Sequence, residues 1–130
     1  MISHITFLGN DGRGIFMTQH IDIQGRILVA NLSGELDYHQ AERIRTQIDA
    51  AFDKSSCRHI LLNMAEVSFM DSSGIGMIIG RYKNAEKRGG KLVLAEMNAS
   101  ITRLFELSGL AKIVLREDTT QNALARLGGN

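Results

Sequence analysis

The sequence predicts an α/β fold: a mainly parallel sheet of about five strands, opened by an antiparallel hairpin and covered by about four helices. Three observations carry that expectation. β-branched residues alternate with polar ones on either side of Gln24 and Gly25, short apolar runs then alternate singly with stripes at helical spacing, and the 130 residues are 44% hydrophobic. A chain of this length buries about two-thirds of its unfolded surface in one core. Single alternation of strands and helices favours right-handed crossovers and therefore parallel neighbours.

The elements follow in order. Met1 to Phe16 shows little apolar periodicity and contains the loop-like run Gly9 to Gly14, so residues 1–16 read as a tail outside the packed unit, and 17–130 as the domain. Met17 stands just before the first regular alternation, which leaves open a shorter product starting there. His20 to Ile23 and Arg26 to Leu32 form the hairpin. Asp37 offers a helix cap with Gln40 three residues on, and Ala41, Ile44, Ile48 and Phe52 repeat on one face. His59 to Met64, with Ile60, Leu61 and Leu62 unbroken, reads as a strand buried on both faces. Ile75, Ile78, Ile79 and Tyr82 mark a second helix that ends at Gly89 and Gly90. Lys91 to Ala95 is a further strand, Ala99 to Ser108 a helix closed by Gly109, Ile113 to Leu115 a last strand, and a final helix follows Asp118.

Composition narrows the function. Fifteen basic and fourteen acidic side chains leave a net charge of +1, so no broad cationic field exists to hold a nucleic-acid backbone or an anionic membrane. No apolar run approaches the roughly 18 residues of a spanning helix, and the start lacks a charged segment followed by an apolar block, which points to the cytoplasm. One cysteine, Cys57, and four scattered histidines give neither a disulfide framework nor a structural zinc spacing; no metal or cofactor is expected.

The junction Phe69 to Gly76 reads FMDSSGIG and places Asp71, Ser72 and Ser73 where a strand hands over to a helix. Two readings fit. Asp71 or a serine caps the helix while the glycines permit close packing, or one serine carries a phosphoryl group at an exposed turn, facing the positive end of the helix.

The whole pattern, GELD at Gly34 to Asp37, FMDSSGIG, GRYK at Gly80 to Lys83 and RLFELSGL at Arg103 to Leu110, resembles the STAS family from about Met17 to Leu127. Within it the chain is most similar to the bacterial anti-sigma factor antagonists, particularly those acting on the sporulation anti-sigma F factor. The resemblance implies that Ser72, directly after the aspartate, is the phosphate acceptor, with Ser73 and Gly74 in the same helix start. It implies partner switching: the unmodified protein binds an anti-sigma factor with serine kinase activity and frees a sigma factor, phosphorylation ends binding, and a serine phosphatase restores it. Asp37, Asp71, Ser73 and Gly74 are then expected at the partner surface. The chain would be a substrate and not an enzyme.

Three other classes share some of these features. A response-regulator receiver needs an acidic pair after its first strand to hold magnesium, and none follows either opening strand. A serine hydrolase at Ser72 or Ser73 lacks a GxSxG elbow and a histidine partner. A STAS interaction module of a larger assembly, never phosphorylated, stays open, and phosphate mapping separates it. Elsewhere, Cys57 reads as a buried or incidental thiol, His39 and His59 as capping or surface residues, and Met64, Met70 and Met77 as core filling. The run Glu86, Lys87 and Arg88 reads as a solvated helix end, with the two cations near its C-terminal dipole.

Overall fold

The computed structural model describes residues 2–10 and 15–128, with side chains from residue 20 to 128. Its sheet has six strands in sequential order. Strand β1 (Ile2–Asn10) pairs antiparallel with β2 (Ile15–Gln24), and β2 pairs antiparallel with β3 (Ile27–Leu36). From there β3, β4 (His59–Met70), β5 (Leu92–Ala95) and β6 (Leu115–Glu117) are parallel neighbours. The helices are α1 (Tyr38–Lys54), α2 (Ser72–Lys87), α3 (Ala99–Leu107) and α4 (Thr120–Gly128).

The alternation of polar and β-branched residues across Gln24 and Gly25 does become a hairpin: Gln24 faces Ile27, and Gly25 takes a left-handed φ of 59° that a two-residue turn requires. The segment expected as a tail carries strand. Residues 2–10 and 15–16 belong to strands, which adds one strand to the five expected; the run 11–14 lies outside the described residues. Side-chain periodicity misses such a ribbon because its main-chain hydrogen bonds do not depend on an apolar face.

Two layers bury the sheet. Leu28, Ala30, Ile60, Leu62, Leu92 and Leu94 point to the face covered by α1, α2 and α3. Val29, Leu61, Val93 and Ala95 point to the other, where Ala123 and Leu127 of α4 cover them. Alternate residues of one strand thus serve opposite cores, the physical reason the trio at 60–62 is unbroken. The apolar face predicted for α1 is the buried one, with Gln47 added to it. In α2 the buried stripe is Gly74, Met77, Ile78, Arg81 and Ala85, a register turned from the isoleucine stripe, with Ile75, Ile79 and Tyr82 at its margin.

Two further expectations change. The last strand falls on Leu115–Glu117 because residues 110–112 form a 3₁₀ turn, entered through Gly109 at φ 87°. His59 is buried, not at the surface: its Nδ1 accepts from the Lys91 N–H at 3.0 Å. Cys57, Met64, Met70 and Met77 are buried as read.

Candidate functional site

Leu36 and Met70 are register partners at the carboxyl ends of the parallel strands β3 and β4. The next residue of each strand, Asp37 and Asp71, therefore stands beside the other, and each opens a helix. Asp37 accepts from the Gln40 N–H at 3.0 Å, and Asp71 from the Ser73 N–H at 2.8 Å. An aspartate in extended backbone at this position satisfies amides that the first turn leaves without partners, worth about 1 kcal/mol per cap. The GELD motif thus has a local physical meaning. Gly34, at φ 86°, turns the chain where the β3–β4 register shifts, Leu36 is fully buried, and Asp37 starts α1.

Ser72 is the first residue of α2 and is exposed; Ser73 is half-buried. Gly74 is buried, and a Cβ there would lie 2.5 Å from Met70 Cγ and 3.0 Å from the Leu36 carbonyl oxygen. The start of α2 is pressed against the ends of both strands, and only glycine permits it. Gly74, expected at the partner surface, is itself buried, and its close approach to Met70 and Leu36 sets where Ser72 and Ser73 stand. Asp37, Asp71, Ser72 and Ser73 are brought together along one edge of the molecule, at the carboxyl ends of the strands, where open α/β sheets place their binding crevices.

Sequence reasoning passed over the aromatic residues beside these caps. Tyr38 is 66% exposed and Phe69 48% exposed, and Phe69 is the register partner of Glu35. Their adjacency in sequence to Asp37 and to Met70–Asp71 was the available signal, since large exposed aromatics beside a functional turn mark contact surfaces.

A groove of about 380 Å³ runs from this edge between α1 and α2, lined by Tyr38, Arg45, Ser73, Gly76, Gly80 and Arg81 among others. Asp49 of α1 ties it together: its Oδ1 lies 3.0 Å from Arg81 Nε and accepts from Asn84 Nδ2 at 3.1 Å. Burial lowers the Arg81 pKa, and the Asp49 carboxylate opposes that effect. At the groove's outer rim Arg45 pairs with Glu42 at 3.0 Å and holds that exposed carboxyl below its usual range.

Among the described residues no group of three or more His, Cys, Asp or Glu side chains could hold a metal ion, and no helix is long and apolar enough to cross a membrane. No histidine lies among the residues that line the groove, and the carboxylate beside Ser72, Asp71, is engaged as a cap.

Comparison with known proteins agrees with this architecture. Residues 19–125 match the STAS domain model. The anti-sigma F factor antagonist of Paenibacillus polymyxa is 43% identical over 101 residues, covering 78% of this chain and 86% of that protein. The anti-sigma-B factor antagonist of Bacillus subtilis is 33% identical over 84 residues, covering 65% and 75%. Among solved structures, the anti-sigma factor antagonist SpoIIAA in its unphosphorylated form superposes with a TM-score of 0.75 at 32% identity, covering 87% of this chain and 98% of that one. With the sheet order, the paired aspartate caps and the matched span all in agreement, the chain belongs to the STAS domain family.

Proposed function

We propose that this chain is an anti-sigma factor antagonist that works by partner switching, with Ser72 as the phosphate acceptor and residues 17–130 as the functional unit. The observation that carries the reading is the position of Ser72: an exposed hydroxyl on the first turn of α2, between the capping carboxylate of Asp71 and the packed Gly74. The 43% identity to an anti-sigma F factor antagonist supports the same assignment. In this reading the unmodified protein binds an anti-sigma factor that is also an ATP-dependent serine kinase, and sigma factor is released. Transfer of the terminal phosphoryl group of ATP to the Ser72 oxygen ends the complex, and a serine phosphatase restores it. The chain is the substrate of both partners, acts in the cytoplasm and supplies no catalytic base.

Magnitudes favour a local switch. Phosphorylation adds about −1.5 to −2 charges, and attraction to a helix start is worth about 0.3–1 kcal/mol. Asp71 already occupies the Ser73 amide and repels the new charge, so the net effect on the fold is small. The same charge desolvated in an interface costs several kcal/mol, and each ~1.4 kcal/mol is tenfold in affinity.

The test is to incubate the purified chain with its anti-sigma kinase and ATP and to map the phosphate by mass spectrometry. A single phosphate on Ser72, abolished in Ser72→Ala without loss of binding, is the expected result. Phosphate on Ser73 rejects the assignment of the acceptor, and none with an active kinase leaves an interaction module that is not phosphorylated.

A further inference from the structure

We infer that the groove between α1 and α2 seats a segment of the anti-sigma partner that lays an apolar side chain over Gly76 and Gly80 and brings a carboxylate to Arg81. The inference rests on the proposed antagonist function and extends the partner surface from the Ser72 turn along α2.

Two independent observations meet in the groove. Gly76 and Gly80 lie inside a 16-residue helix, where glycine is the least favoured residue short of proline. A Cβ built at either one meets nothing within 4 Å, in contrast to Gly74, where Met70 and Leu36 already fill the space. Internal packing therefore does not demand these two glycines. Their bareness leaves the helix backbone open to close approach by another chain.

Arg81 is only 6% exposed, its Nε lies 3.0 Å from Asp49 Oδ1 as an ion pair, and neither its buried Nε nor its buried Nη1 has a hydrogen-bond partner among the described residues. A buried, unpaired N–H of a guanidinium is costly, and a carboxylate is the acceptor whose geometry fits the guanidinium fork. Arg45, the groove's second cation, is held by an exposed pair with Glu42, a kind of pair that exchanges partners at little cost.

The groove is continuous with the switch. Ser73 and Tyr38 line it, the first following Ser72 directly and the second following the Asp37 cap. A partner engaged at Ser72 already stands at the mouth. The arrangement also supplies the sign of the switch: an incoming carboxylate and a phosphoserine beside its path repel each other, whereas the bare hydroxyl does not.

Calorimetric titration of unphosphorylated chain with the purified anti-sigma partner tests this. Gly80→Leu, which fills open space, is expected to keep the fold by circular dichroism and weaken binding at least tenfold. Arg81→Lys, which keeps a cation for Asp49 but lacks the Nη1 donor, is expected to weaken it at least fivefold. Should Gly80→Leu not fold, Gly80→Ala replaces it, with a melting temperature raised by about 2–4 °C and affinity lowered about threefold. Wild-type affinity in a folded Gly80 variant or in Arg81→Lys overturns the inference, while failure of the wild-type chain itself to bind overturns the antagonist reading instead.

Discussion

The two ends of the parallel strands are built on opposite plans. At the amino ends of β3, β4 and β5 the chain is tied to itself: the Arg58 and His59 amides both donate to the Arg26 carbonyl, the Ile60 amide donates to the Lys91 carbonyl, and His59 Nδ1 accepts from the Lys91 amide. Arg88, from the end of α2, donates to the carbonyls of Phe52 at 2.9 Å and Cys57 at 2.7 Å while its guanidinium stacks 3.9 Å over the Phe52 ring. Arg88 is exposed, as expected of a solvated helix end, yet its guanidinium is engaged with the segment before β4. At the carboxyl ends the main chain is satisfied by two short aspartate caps, and what remains faces outward: Ser72, Tyr38 and Phe69. One end is anchored by contacts the protein makes with itself. The other leaves a hydroxyl and two aromatic rings exposed.

Substitutions sharpen that contrast. The largest effect belongs to Gly90→Ala, whose Cβ would land on the Arg58 carbonyl. Because the obstacle is backbone, we expect a loss of about 3 kcal/mol in urea unfolding, and a loss under 1 kcal/mol would mean the closed end is more yielding than its contacts imply. Arg88→Ala is next. It strips donors from the Phe52 and Cys57 carbonyls and removes the ring stack, for about 2 kcal/mol by the same measurement, with kinase and partner binding at the far end unaffected.

His59 makes the closed end sensitive to acid. Burial first, then the charges of Arg58, Lys91 and Arg26, lower its pKa from the ordinary 6.5, and its accepting Nδ1 requires the neutral ring. The unfolded chain takes up the proton before the folded one does. The contribution is therefore complete above about pH 6.5 and is lost as the pH falls below that value towards the folded-state pKa, at no more than about 1.4 kcal/mol per pH unit. Urea unfolding at pH 7.5 and 5.5 should show a steeper decline for wild type than for His59→Gln; parallel declines would remove His59 as the cause.

The smallest effect on the fold is expected at the open end. Asp71→Asn keeps a capping oxygen and removes a charge, so stability should change by less than about 0.5 kcal/mol. Phosphorylated protein carrying it should regain part of its partner affinity, about two- to fivefold, since one of two like charges beside the interface is gone. An unchanged affinity would place the repulsion wholly within the partner.

Much of this was legible in the chain. Asp37 with Gln40, the stripe from Ala41 to Phe52 and the run at Ile60–Leu62 are local patterns, set by helix and strand periods, and the structure keeps them. The DSSG turn was likewise readable as a strand-to-helix junction with a capping aspartate. What was not readable depended on neighbours distant in sequence. Nothing local in GRYK singles out Arg81; it is Asp49, some thirty residues earlier, that meets it across the groove. Gly74 and Gly76 look alike in sequence, yet one is pressed onto Leu36 and the other opens to solvent.

By itself the sequence determined which segments are helix and strand over most of the domain, where α1 begins, and that DSSG is a strand-to-helix junction, because caps and apolar periods act over three or four residues. Only the tertiary structure decided that Asp37 and Asp71 stand side by side, that His59 is buried and neutral, and that a groove opens beside Ser73. Those facts follow from strand register and helix packing, which bring together residues that no local rule connects.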